Sequence, residues 1–124
     1  SEIVSLHCPA NAETRGLIGS AEIRLMKRDA VLVNIARGRL LRTDELVAEL
    51  LRGTIAGAAL DVFEHEPLDE SSPLWDLPNV LITPHTSGFR EDYWQAAADL
   101  FAENLTRYER GEPLLNVVDK LAGY

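Results

Sequence analysis

Four short apolar runs, rich in β-branched residues and spaced by loops and helix-length stretches, most constrain what this chain can fold into. They are Ile3-Val4-Ser5-Leu6-His7-Cys8, Ala30-Val31-Leu32-Val33-Asn34-Ile35, Ile55 to Val62, and Val80-Leu81-Ile82-Thr83. Each is largely continuous rather than alternating, so both faces of the strand must be buried. Parallel strands meet that demand, because the crossovers between them place helices over the sheet. The expectation is an α/β fold with a parallel sheet and helices on both faces.

The connecting segments fit that order. A loop runs from Pro9 to Gly19, and Ser20 reads as the cap of a helix ending near Lys27. Thr43 starts a second helix, with Leu46, Val47 and Leu50 on one face, Asp44 and Glu45 in its first turn, and Gly53 as its stop. A proline-bearing loop covers Glu64 to Pro78. From Arg90 to about Arg110 a long helix is expected, with Trp94, Ala97, Ala98, Phe101 and Leu105 near one stripe. After Gly111, the apolar piece Leu114-Leu115-Asn116-Val117-Val118 must pack on something.

Composition excludes some classes. The 124 residues suit one compact domain, and 46% hydrophobic with 26% charged residues is ordinary for a globular protein. Twenty acidic against 12 basic residues give a net charge of −8, which argues against a nucleic-acid partner. No apolar run approaches the roughly 20 residues needed to span a bilayer, so no membrane association is expected. No export signal stands at the start, and Cys8 alone cannot form an internal disulfide; a cytoplasmic protein is expected.

Ligands on parallel α/β sheets bind beyond the carboxyl ends of the strands. His7, Arg37, Asp61 and His85 each fall at one of those ends. Arg37 precedes Gly38, so its guanidinium should project from a tight turn, where its fork of donors suits a carboxylate. On position alone it reads equally well as an arginine that ends a strand and meets solvent. Glu66 before Pro67 and His85 after Pro84 could form a carboxylate–imidazole pair that moves protons near neutral pH. Taken alone, they are more simply a loop glutamate and a strand-end histidine satisfying backbone groups. Cys8 reads as a structural thiol, and Trp75 and Trp94 as packing residues. The histidines lack metal-site spacing, so no metal is expected. No Gly-x-Gly-x-x-Gly occurs, so the usual pyrophosphate cradle is absent from these residues.

An ordered series of motifs then resembles the carboxy-terminal part of the D-isomer-specific 2-hydroxyacid dehydrogenases, including phosphoglycerate, hydroxypyruvate and glyoxylate enzymes. The series is His7-Cys8-Pro9, Thr14-Arg15-Gly16-Leu17-Ile18-Gly19, Met26-Lys27, and Val33-Asn34-Ile35-Ala36-Arg37-Gly38. It continues with Gly57 to Leu68, Pro73-Leu74-Trp75, Pro78-Asn79-Val80 and Thr83-Pro84-His85. The resemblance implies the second half of a Rossmann-type doubly wound sheet. It implies that Arg37 binds a substrate carboxylate, that His85 moves the proton, and that Glu66 holds His85 and keeps its pKa high. It further implies NAD as cofactor, with NADP open, bonded at its carboxamide by Asp61. His7, Pro9, Thr14, Ile35, Ala36, Arg37, His85, Ser87 and Gly88 would line it. The substrate would be a small 2-keto or 2-hydroxy acid. A second role in the same superfamily is that of an NADH-sensing, corepressor-like scaffold. The glutamate at position 66 separates the chain from the similar formate dehydrogenases, which carry glutamine there. Ile35 stands where a small polar residue is common, and Arg28-Asp29 replaces the usual Pro-Gly.

By the same resemblance, residues 1–110 form a partial NAD-binding domain and 111–124 a tail that returns to a missing substrate lobe. The first strand would lack its partner, and an unpaired apolar edge invites association, so a homodimer is expected. The 124 residues alone should bind cofactor poorly and turn over little.

Overall fold

The computed structural model describes residues 1–122, and these form two compact units, Ser1–Ser87 and a second from Gly88 onward. The long helix falls in the second unit, together with the segment after Gly111. Gly123 and Tyr124, the end of the expected tail, lie outside the described residues.

The first unit contains four strands: β1 (Ile3–Leu6), β2 (Val31–Asn34), β3 (Gly57–Leu60) and β4 (Val80–Ile82). They form one parallel sheet in the order β1-β2-β3-β4, as the unbroken apolar runs require. Helices α1 (Ser20–Ile23) and α2 (Thr43–Leu51) connect β1 to β2 and β2 to β3.

Side chains alternate across a strand, so the register divides the sheet into two faces. Leu6, Leu32, Ala58 and Leu60 share one face and pack in a core with Ile23 of α1 and Leu46, Val47 and Leu50 of α2. Ile3 and Leu81 lie on the other face, 66% and 63% exposed. Within this unit α1 and α2 therefore cover a single face. Two right-handed crossovers moving the same way along a sheet must stay on one side of it.

Helix α1 is shorter than expected and is capped one residue earlier. Gly19 holds the cap position, and its N–H donates to Glu22 Oε2 at 2.9 Å. Ser20 N–H donates to Glu45 Oε2 of α2 at 2.6 Å. The two helices are joined further by Glu49, 1% exposed, whose carboxylate receives Arg24, Arg52 and Thr54. The Arg24 and Thr54 hydrogen bonds outweigh burial and bring its pKa down to about 2.

In the second unit α3 (Tyr93–Glu109) is followed by Arg110 and then Gly111, which adopts φ +69° and turns the chain away. The following residues fold back on it: Asn104 receives the N–H of Leu115 at 2.7 Å and donates to its carbonyl at 3.2 Å. Among the described residues, no helix is long and apolar enough to cross a membrane.

Candidate active site

The rim formed by the carboxyl ends of the strands collects the residues that the sequence marked. After β2, the chain turns through Ile35, Ala36 and Arg37. Asn34, fully buried, stitches this turn: its amide donates to Arg37 O at 2.9 Å and accepts from Ala36 N at 3.1 Å. Sequence reading passed over Asn34, although an amide closing an apolar strand is itself a sign of a buried polar duty. Arg37 is exposed, donates to Ala36 O at 2.7 Å, and has no carboxylate partner among the described residues.

Gly38 matters by what it lacks. A β-carbon there would lie 1.9 Å from the Phe63 carbonyl carbon and 2.3 Å from Glu64 N. The turn bearing Arg37 thus meets the loop after β3 backbone to backbone. Phe63 N–H in turn donates to Glu66 Oε1 at 2.9 Å, fixing the carboxylate that faces His85.

His85 Nδ1 lies 2.7 Å from Glu66 Oε2. An ionised carboxylate only accepts, so Nδ1 carries the hydrogen and Nε2 is left for another partner. The hydrogen bond from His85, then that from Phe63, lowers the Glu66 pKa and keeps it ionised. Both side chains are partly open to solvent. They border a cavity of about 450 Å3 whose apolar wall includes Phe63, Leu68, Trp75 and Ile82. A larger hollow of about 560 Å3, among Arg15, Arg42, Glu45 and Glu64, is different. Its charges pair with one another, Arg15 with Glu64 at 2.9 Å and Arg42 with Glu45 at 3.4 Å.

His85 adopts φ +54°, a left-handed conformation that costs a residue with a β-carbon about 1–3 kcal/mol unless its surroundings hold it. Asp61, 2% exposed, lies beside that turn. Burial opposes its ionisation, but hydrogen bonds from Ser87, Thr83 and Thr86 prevail and hold its carboxyl well below the usual range.

At the end of β1, His7 Nε2 lies 2.8 Å from Ser5 Oγ, and both are exposed. Thr14 braces the next loop by donating to Pro9 O at 2.6 Å. Ile35, 39% exposed, and Ala36, half-buried, follow β2, the strand next to β1. Such a rim suits the chemistry of a nicotinamide: apolar contact for the ring, and backbone and hydroxyl groups for its polar edges. Cys8 is half-buried and unpaired. Among the described residues, no group of His, Cys, Asp and Glu is placed to hold a metal. Gly88 opens the second unit.

Residues 1–87 match the family described as D-isomer specific 2-hydroxyacid dehydrogenase, NAD binding domain. A glyoxylate reductase from Aeropyrum pernix is 43% identical over 120 residues, 97% of this chain and 36% of that protein. A D-3-phosphoglycerate dehydrogenase from Methanocaldococcus jannaschii is 42% identical over 119 residues, 96% of this chain and 22% of that protein. A crystal structure of a D-isomer specific 2-hydroxyacid dehydrogenase from Xanthobacter autotrophicus Py2, in complex with NADPH and MES, superposes with a TM-score of 0.92 at 45% identity. It covers the whole of this chain and 50% of that one. The chain therefore spans half or less of the length of these relatives.

Proposed function

The chain belongs to the D-isomer-specific 2-hydroxyacid dehydrogenase family through its NAD-binding domain, and from that premise we propose that the protein carrying it interconverts a small 2-keto acid and its 2-hydroxy acid. A bound NAD(P) would supply or accept the hydride at the substrate's second carbon. Arg37 holds the substrate carboxylate through two parallel N–H···O bonds. His85 Nε2 gives a proton to the substrate oxygen in reduction and takes it back in oxidation, while Glu66 keeps the ring oriented from Nδ1. His7, Pro9, Thr14, Ile35, Ala36 and Ser87 would line the cofactor. The observation that carries this reading is the 2.7 Å Glu66–His85 pair on the same rim as an unpaired arginine.

The test is turnover of glyoxylate and hydroxypyruvate by the whole protein, with NADH and with NADPH. His85→Ala should lower kcat by about 10²–10⁴-fold. Arg37→Ala should chiefly raise KM for the keto acid. Wild-type kcat in His85→Ala would sink the proposal, and tight NADH binding without turnover would favour the scaffold role instead. The 124 residues alone, assayed alongside, should turn over little.

A further inference from the structure

Asp61 directly follows β3, and Thr83 directly follows β4, its parallel neighbour. Thr83 N–H donates to Leu60 O at 3.0 Å, so the ladder extends one step past the strands and brings the Asp61 carboxylate beside the chain leaving β4. Three donors converge on it. The Thr83 hydroxyl and, at 2.9 Å, Thr86 N–H reach Oδ1; Ser87 N–H reaches Oδ2 at 2.9 Å. One donor lies before His85 in the chain and two lie after it. Pro84 offers no N–H, and that of His85 goes to Thr83 O at 3.1 Å. The left-handed backbone of His85 is therefore bracketed on both sides by hydrogen bonds to a single buried carboxylate.

We propose that Asp61 is a positioning residue: its carboxylate fixes the turn from Thr83 to Ser87 and so aims the His85 imidazole, which Glu66 holds only at Nδ1. The effect on turnover rests on His85 being the proton carrier of the proposed reaction; the effect on the turn does not. The resemblance implies a direct bond from Asp61 to the nicotinamide. The structure assigns its two oxygens first to the turn, with Oδ1 shared by two donors. An anion there strengthens each of these bonds relative to a neutral acceptor. Buried this deeply, Asp61 can stay ionised only because the turn supplies its donors.

Asp61→Ala, Asp61→Asn and Thr83→Val in the whole protein separate the two roles. Amide hydrogen exchange at Thr86 and Ser87 reads the turn, and steady-state kinetics reads the aim. Asp61→Ala should speed exchange at both amides and lower kcat by roughly 10²-fold, the cost of a small misplacement of a reacting group. KM for the keto acid and for the dinucleotide should stay within about twofold. Asparagine keeps the Oδ1 acceptor and should fall between alanine and the wild type. Thr83→Val removes one donor with little change of shape and should move both readouts the same way, less far. If Asp61→Ala does not fold, the other two variants carry both measurements. Unchanged exchange in the variants overturns the proposal, as does a raised KM for the dinucleotide with the turn still protected, which would mark a direct cofactor contact. If the wild-type protein shows no turnover, the dehydrogenase reading fails, and exchange at Thr86 and Ser87 alone decides the clamp.

Discussion

Residues 1–87 hide Ile23, Leu32, Leu40 and Leu46 completely, whereas α3 in the second unit leaves Trp94, Phe101 and Tyr108 more than 70% exposed. The first unit has a core, buried polar groups with partners, and the whole candidate site. The second has a regular helix with no buried residue, held by its own backbone bonds and by local pairs such as Arg107–Glu103. In proteins a helix draws most of its stability from packing an amphipathic face. The buried core and the candidate Arg37, Glu66 and His85 thus lie together in one unit. The apolar stripe that the sequence assigned to α3 is present, but a stripe says only that a helix needs cover and not where the cover comes from.

The contrast breaks most sharply at Gly38. Gly38→Ala should destabilise the first unit by about 3 kcal/mol or more, because the new methyl meets backbone that cannot step aside. Hydrogen exchange resolved by residue should show β2 and β3 loosening while α3 is unchanged. Equal loosening of α3 would mean that the two units fold as one.

A smaller loss is expected from Glu49→Ala, which cuts three links between α1, α2 and the segment entering β3. The thermal midpoint of the first unit should fall by roughly 10 °C. The same carboxylate sets an acid limit. Its folded pKa, about 2, lies below its ordinary value of 4.5, so its contribution is complete above that ordinary value. It is lost as pH falls from there toward about 2, and circular dichroism along that range should show Glu49→Gln losing less stability than the wild type.

Ile3→Lys addresses the edge strand β1, half of whose alternating side chains face out. If the chain associates through that edge, a lysine there should weaken the association about tenfold, read by analytical ultracentrifugation. No shift in a well-formed dimer would place its interface elsewhere. The smallest effect belongs to Phe101→Ser on α3: the first unit should change by less than about 0.5 kcal/mol in chemical denaturation. A larger loss would show that Phe101 supports that core.

The parts of this molecule visible in sequence are those that act through neighbours in the chain. The runs around Val4, Leu32, Ala58 and Leu81 announced a parallel sheet because burial of consecutive positions leaves few other options. The strand-end placement of Arg37, Asp61 and His85 followed from the same runs. Partnerships across the fold were hidden. Nothing near Glu49 indicates that Arg24, 25 residues earlier, will donate to it, nor does anything near Asp61 indicate Thr86 and Ser87. Asn34 escaped notice because its role is confined to a turn whose shape the sequence does not encode. Nor does anything near Ser20 indicate that Glu45, a residue of another helix, will accept its N–H.

The bare contact between Gly38 and Phe63 has a consequence for what the site can measure. No side chain intervenes between the backbone of the turn that carries Arg37 and that of the loop that anchors Glu66, so the spacing of these two backbones behaves as a rigid ruler rather than a spring. A ruler of that kind gauges the gap between a substrate's acid group and its reacting oxygen. In a 2-hydroxy acid one carbon–carbon bond sets that gap; a 3-hydroxy acid interposes another carbon. The proposed site should therefore reject the longer homologue by length, whatever side chain it carries.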